Sequence, residues 1–349
     1  MRSILSDSPP TLKEVARVAG VSRATASRVL SEPRPPDDLS RRAAETRRAV
    51  ERAARTLGYV PNRTARSLRT GRTHSVALVI PEPVIRLFGD PLFPRVVRGI
   101  TEVLSASDLQ LVLLAPQARD DEHRLEPYLT SGHVDGALLL SLHGDDPLPG
   151  RLAEHRLPVV VGGRPPAGSR VSYADVDNVG GAVAAAQHLC EQGRRRIATI
   201  TGPPDMPAAQ DRLDGYRHAL RAAGLPLLRA LAESGDFSRD GGERAMRVLL
   251  EREPGLDAVF VASDLMAAGA LQVLNETGRR VPADVAVVGF DDSPFAASTI
   301  PPLSSVMQPI EELGREMTRL LLAAIESRDR VPRRVILATE LIVRASSGG

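Results

Sequence analysis

The stretch Thr11-Leu-Lys-Glu-Val-Ala-Arg-Val-Ala-Gly-Val-Ser-Arg-Ala-Thr-Ala-Ser-Arg-Val-Leu30 decides the organisation of this 349-residue chain. Thr11, with Glu14 three residues later, makes a capping box, and Leu12, Val15, Ala16 and Ala19 fall on one helical face. Gly20 supplies the left-handed residue that ends this first helix. Ser22 then caps a second helix over 23–30, with Ala26, Val29 and Leu30 turned inward and Arg23, Ala24, Ser27 and Arg28 outward. Two short helices about a tight glycine turn form a helix-turn-helix, whose second helix enters the major groove of DNA N-terminus first. Arg23, Ala24 and Arg28 are therefore the expected readers of base edges: arginine pairs with guanine, and the alanine methyl packs on thymine. Ser22, Thr25 and Ser27 are placed for phosphates. A third helix follows, with Thr46, Val50, Ala53 and Leu57 at helical spacing and Gly58 as its stop. The intervening segment 31–45, with Pro33, Pro35 and Pro36, reads as a loop.

Charge supports this division. Residues 1–73 carry 16 Lys and Arg against 7 Asp and Glu, about +9, which leaves 29 against 36, about −7, for the rest of a chain whose net charge is +2. A basic module on a larger acidic body is the footprint of a nucleic-acid binder. No run approaches the 18 or so apolar residues of a membrane span, and the first ten residues lack the apolar stretch of a secretory signal, so a cytoplasmic, soluble protein is expected. Cys190 is the sole cysteine; this excludes an intrachain disulfide or a cysteine-based zinc cluster, and a small core residue is expected there.

From His74 onward, apolar runs alternate with helical patterns. Strands are expected at 76–80, 111–114, 136–140 and 159–161, with helices at 93–104, 122–130 and 148–155 between them. The alternation resumes after Tyr173 with helices at 179–192, 209–222, 241–251 and 265–276 and strands at 197–200, 258–261 and 285–290. Two similar lobes of parallel sheet flanked by helices follow, and ligands of such sheets bind beyond the C-terminal strand ends, in a cleft between the lobes. The polar residues at those ends are Asp90 with Phe93, Arg212, Ser263-Asp264 and Asp291-Asp292. Asp264 is expected to N-cap the helix that begins at Leu265, and Asp292 to satisfy loop amides.

The segments 15–30 and Leu57-Gly-Tyr-Val-Pro-Asn-Arg-Thr-Ala-Arg-Ser-Leu-Arg-Thr-Gly71 resemble the head of a LacI-type (LacI/GalR) transcriptional regulator. The resemblance extends through Asp90-Pro-Leu-Phe93, Val176-Asp-Asn178, Arg212-Leu-Asp-Gly-Tyr216, Ala262-Ser-Asp-Leu-Met266, Val287-Val-Gly-Phe-Asp-Asp292 and Pro301-Pro-Leu-Ser-Ser-Val-Met-Gln308. It implies a small all-α helix-turn-helix head (1–60), a hinge helix and linker (61–73), and a two-lobed α/β core like a periplasmic binding protein (74–349). Lobe one would comprise about 74–173 with 304–330, and lobe two about 174–303 with 335–349. Asn62 and Arg63 of the hinge would meet phosphates, while Leu68, aided by Ala65, would wedge into the minor groove. A hinge of about seven residues is too short to be helical alone in water, so it would form only on DNA. Effector contacts are implied for Asp90, Phe93, Arg164, Arg212, Phe237, Ser263, Asp291 and Gln308: carboxylate and guanidinium grip hydroxyls, and aromatic rings cover a sugar face.

Three departures from the family pattern are visible. Ala26 replaces the usual valine, Ser263 the usual asparagine, and Gly162-Gly163 the usual Ile-Asp; the last two shorten the polar side chains of the cleft. The segment 81–89, longer than the usual linker, is a candidate roof over the pocket. The chain's end after Val343 shows no heptads, so a homodimer on a pseudo-palindromic operator is expected rather than a tetramer. No cofactor, metal or membrane partner is implied. An enzyme finds no support: there is no G-x-S-x-G, P-loop, H-E-x-x-H or strand-borne G-x-G-x-x-G, the seven histidines are scattered, and adjacent Asp291 and Asp292 make a poor acid/base pair. A sugar-binding receptor without a regulatory role shares the two-lobe core but has no use for a DNA-reading head.

Overall fold

Thr11 and Glu14 cap one another as the sequence requires: the Glu14 N–H donates to Thr11 Oγ1 (3.4 Å) and the Thr11 N–H to Glu14 Oε2 (2.7 Å). They open α1 (Leu12–Val18) in a computed structural model that describes residues 9–31, 40–60, 67, 71–81, 89–116, 119–144, 146–166, 168–327 and 331–348. The chain divides into two units, Met1–Thr73 and His74–Gly349.

In the first unit, the Thr25 N–H donates to Ser22 Oγ (3.1 Å) at the start of α2 (Arg23–Ser31). α3 (Arg41–Leu57) is capped by Ser40 and ends on Gly58 at φ 65°, a left-handed conformation that costs a glycine little. Val15, Ala26 and Val50 are wholly buried and, with Ala16, Ala53 and Ala54, make the core of this unit. Val29 and Leu30, expected inside, are half-buried at its edge. Residues 41–45, read as loop, are the first turn of α3, because Ser40 supplies a cap earlier than Thr46. The prolines of the preceding segment and the hinge residues Asn62, Arg63, Ala65 and Leu68 lie outside the described residues.

The second unit contains two six-stranded sheets. The first is built from β1 (Ser75–Val79), β2 (Gln110–Leu114), β3 (Gly136–Leu139), β4 (Val159–Gly162), β5 (Ser172–Val176) and β11 (Arg334–Leu337), in the order β11-β5-β4-β3-β1-β2, all parallel. On it pack α4 (Leu92–Leu104), α5 (Arg119–Tyr128), α6 (Leu148–Glu154) and α11 (Ile310–Glu326). The second sheet comprises β6 (Ile197–Thr201), β7 (Ala232–Ser234), β8 (Ala258–Val261), β9 (Ala286–Asp291), β10 (Ser304–Met307) and β12 (Glu340–Ile342), in the order β12-β10-β9-β8-β6-β7. Only β12 runs antiparallel there. Its helices are α7 (Asn178–Glu191), α8 (Pro207–Ala222), α9 (Arg239–Arg252) and α10 (Asp264–Glu276). Both faces of each sheet are covered, so its central strands read as unbroken Val, Ile, Leu and Ala runs.

Sheet membership moves the lobe boundaries given above. β5 keeps lobe one going to Val176; β10 pairs with β9 and so belongs to lobe two; β11 pairs with β5 and so keeps the chain in lobe one, where α11 has returned it, until β12. The chain therefore crosses between lobes three times, near 177, 308–309 and 338–339. The first and third crossings are stitched together, the Asp177 N–H donating to the Leu337 carbonyl (2.8 Å) and Thr339 Oγ1 to the Asp177 carbonyl (3.2 Å). Cys190, expected as a core residue, is half-buried at the margin of the lobe-two core.

Candidate functional site

Two surfaces carry chemistry, one in each unit. On α2, Arg23, Ala24 and Arg28 are exposed together, opposite the buried Ala26. Ser22 Oγ and Thr25 Oγ1 are 2.9 Å apart and share a hydrogen bond, which leaves one hydroxyl hydrogen of the pair to donate elsewhere. Ser27, between them and Arg28, is half-buried.

In the second unit the eight expected effector residues, Asp90, Phe93, Arg164, Arg212, Phe237, Ser263, Asp291 and Gln308, all line one cavity of about 540 Å³ between the lobes. Its base is Arg212, buried on α8. The guanidinium lies over the Phe290 ring (3.9 Å to the centroid) with Phe237 farther out (5.9 Å). Nε donates to Asn178 Oδ1 (2.8 Å), Nη1 donates to the Ala262 carbonyl (2.6 Å), and Nη1 stands 3.7 Å from Asp291 Oδ1. Asp291 in turn accepts from Gln308 Nε2 (2.6 Å) and from the Asp264 N–H (3.3 Å). A fixed fork of donors thus faces a carboxylate and an amide. Burial pushes the Asp291 carboxyl well above its ordinary range, against the opposing pull of Arg212, and lowers the Arg212 guanidinium from its usual value.

Strain marks the same place. Phe237, Asp291 and Asp292 have φ of 62°, 122° and 45°, a region side chains other than glycine seldom adopt. Phe237 keeps its position because Gly202 passes beneath it; a Cβ on Gly202 would stand 2.1 Å from the ring. The apolar walls are Phe237 from lobe two and Phe93, Leu140 and Ile80 from lobe one.

Asp264 differs from expectation. Ser263 is the N-cap, its Oγ accepting from the Met266 N–H (3.3 Å), and the helix already includes Asp264. The Asp264 carboxylate instead accepts from Ser293 N–H and Oγ (2.7 Å each) and from Ser305 Oγ (2.5 Å), clamping the ends of β9 and β10; burial first of all raises it to about 6. With longer-range partners available across the loop, the local cap fell to the neighbouring hydroxyl. Asp292 does not serve loop amides: it forms an ion pair with Arg344 (2.7 Å), while its own N–H donates to Ser305 Oγ (3.0 Å).

Arg164 leaves the strand end of β4 and pairs with Asp211 of α8, across the cleft mouth. Close by, His143 Nδ1 lies 3.0 Å from Asp205 Oδ2, and the Gly144 N–H donates to the Asp205 carbonyl (2.9 Å). These contacts tie one lobe to the other at the rim. Asp90 stands at the start of α4, its Oδ1 accepting from the Leu92 N–H (2.8 Å). Of the proposed roof, 82–88 lie outside the described residues.

Two polar cavity residues that support the expected set, Asp175 and Asn178, were given no role from sequence. Asp175, at the end of β5, is 7% exposed; its Oδ1 accepts from the Val176 N–H (2.8 Å) and Asn178 Nδ2 (3.1 Å), and burial raises its carboxyl to about 6. Asn178 links it to Arg212. Among the described residues, no cluster of His, Cys, Asp or Glu is arranged to hold a metal ion, and no helix is long and apolar enough to cross a membrane.

Comparisons with known proteins match both units. Residues 11–62 match the family of bacterial regulatory proteins of the lacI type, and 186–347 match a periplasmic binding protein-like domain. The chain is 51% identical to the HTH-type transcriptional regulator CelR of Thermobifida fusca over 97% of its own length and 98% of that protein's. A CelR–cellobiose complex superposes with a TM-score of 0.77 at 50% identity, covering 97% of this chain and 99% of that one. The lac repressor dimer bound to operator and the anti-inducer ONPF superposes with a TM-score of 0.84 at 25% identity, covering 97% and 99%. A helix-turn-helix unit joined to a two-lobed cleft core, matched over nearly its whole length, places this chain in the LacI/GalR family of sequence-specific DNA-binding transcriptional regulators.

Proposed function

We propose that the chain is a homodimeric repressor released from a roughly palindromic operator by a neutral sugar, with a glucose disaccharide such as cellobiose as the leading effector. The observation that carries this reading is the buried array of Arg212, Asp291 and Gln308 on one side of a cavity walled by Phe93 and Phe237. Such an array holds vicinal hydroxyls by charge-assisted hydrogen bonds while the rings cover the sugar's apolar face. Asp90, Asp175 and Asp291 disfavour an anionic ligand there, and the similarity to a regulator solved with cellobiose supports the same class. Ser263 and Arg164 complete the set, Arg164 from the rim.

On DNA, Arg23 and Arg28 read guanines and Ala24 a thymine methyl, while Ser22, Thr25 and Ser27 hold phosphates. Asn62 and Arg63 add hinge phosphates, and Ala65 and Leu68 enter the minor groove where paired hinges meet. Effector and operator then compete through the conformation of the segment that joins the units.

Thermal unfolding of the full chain against cellobiose, glucose, ribose, maltose and their phosphates tests the site. A ligand at about 100 times its dissociation constant adds about 2.7 kcal/mol. Stabilisation by cellobiose that disappears in Arg212→Ala is expected. Stabilisation by sugar phosphates alone, or a cellobiose shift that survives Arg212→Ala, refutes it.

A further inference from the structure

The reading helix is not the only basic surface of the amino-terminal unit. α3 contains Arg41, Arg48, Arg52 and Arg55, spaced by seven, four and three residues, and all four are exposed. At 100° per residue they lie within about 60° of one another, a single stripe about 21 Å long at about 1.5 Å per residue. The opposite side of the helix carries Val50, Ala53 and Ala54, which pack against α1 and α2. The stripe therefore faces away from the helices that present Arg23, Ala24 and Arg28.

Among the described residues, three of its four charges are unpaired and share one face. In the core, several surface arginines are matched to carboxylates, Arg95 and Arg98 to Glu311 (2.8 Å each), Arg315 to Glu102 (2.7 Å) and Arg319 to Glu312 (2.8 Å), while exposed ones without a carboxylate among the described residues, such as Arg170, Arg195 and Arg221, are scattered over different elements. On α3, Arg41 has Glu45 (3.6 Å) and Arg47 has Glu51 (3.7 Å), but no carboxylate among the described residues pairs with Arg48, Arg52 or Arg55. Like charges three and four residues apart repel and weaken a helix by a few tenths of a kcal/mol per pair. Stability alone gives no reason for this row.

We propose that the α3 stripe is a second DNA-binding surface, which takes the phosphate backbone of a duplex other than the one read by α2. A strand advances one phosphate per 3.4 Å or so of duplex axis, and the three unpaired arginines span about 10 Å of helix, so a backbone lying along the stripe brings a phosphate within reach of each long side chain. The contact reads no bases and is sequence-independent. An operator-bound protein thereby holds a neighbouring segment of DNA and bridges the two.

The test uses the full chain saturated with a fluorescent operator duplex of about 24 base pairs, roughly two helical turns, mixed with beads bearing a long duplex without operator sequence. The wild type is expected to carry operator onto the beads. Arg48→Gln/Arg52→Gln/Arg55→Gln, exposed changes to a good helix former, is expected to capture at least tenfold less while its operator affinity stays within twofold. Losing three phosphate contacts lowers the salt slope of capture by about 2.7, so the wild-type advantage shrinks by about 40-fold between 50 and 200 mM salt. Capture that the triple variant retains, or no wild-type capture above protein-free background, overturns the proposal. A parallel loss of operator affinity also overturns it, because the stripe then lies on the operator duplex itself.

Discussion

Replacing Asp175 with asparagine is expected to make the protein more stable and less responsive at once. The side chain is 7% exposed, and burial, reinforced by Asp211 and opposed by Arg212 and Arg164, raises its carboxyl from 3.8 to about 6. A folded-state value above the unfolded one means that the fold prefers the protonated group: this contribution is full below pH 4 and is lost as pH rises through 6. The gap from 3.8 to about 6 corresponds to about 3 kcal/mol at about 1.36 kcal/mol per pH unit. Asparagine keeps the oxygen that accepts from Val176 and Asn178 and carries no charge to bury. Asp175→Asn should therefore unfold up to roughly 6 °C higher than wild type at pH 7.5 and at the same temperature near pH 4. Calorimetric scans of both proteins from pH 4 to 8 measure this directly, and effector titration should show affinity weakened about tenfold or more. A variant destabilised by the same amount at every pH would refute the reasoning, since Asp175 would then be a structural acceptor with no desolvation cost.

Three further changes probe the cleft, the lobe-one core and the rim. Gly202→Ala puts a Cβ 2.1 Å from the Phe237 ring, so effector affinity should fall more than tenfold in calorimetric titration while operator binding without effector is kept. Gly99→Ala meets backbone instead, the Glu311 carbonyl at 2.0 Å, and should lower core stability by several kcal/mol in denaturant unfolding, because α4 and α11 must separate. Arg164→Ala and Asp211→Ala should each speed effector dissociation in stopped flow, and the double variant should lose less than the two single ones combined.

The head was legible because each of its signals is local. Thr11, Glu14, Gly20, Ser22 and Gly58 fix ends and turns within four residues of themselves, and the alanine and valine spacing names the buried face. Most central strands were legible because burial on both faces leaves uninterrupted apolar runs, but β10, also internal to its sheet, was missed because it opens on Ser304 and Ser305. The edge strands β7, β11 and β12 were missed: at three or four residues, none of them fully buried, they take their structure from the neighbour they pair with. β5 was missed because Tyr173 and Asp175 interrupt its apolar pattern, and with it went Asp175 as a cavity residue. α11 was readable in principle, since Ile310, Leu313, Met317 and Leu321 repeat at helical spacing. Asp264 shows a different limit: a carboxylate beside a helix start looks like a cap until the partners brought by Ser293 and Ser305, 29 and 41 residues away, are known.

Coupling of cleft and head is what the proposed function requires. It is tested by a closed cycle in which operator affinity is measured by fluorescence anisotropy with and without saturating cellobiose, and cellobiose affinity by calorimetry with and without saturating operator. Linkage requires the same factor in both arms, on the order of 5 to 150-fold, with each ligand weakening the other. That result, abolished by Arg212→Ala, is predicted. Tight cellobiose binding that leaves operator affinity unchanged would contradict the account.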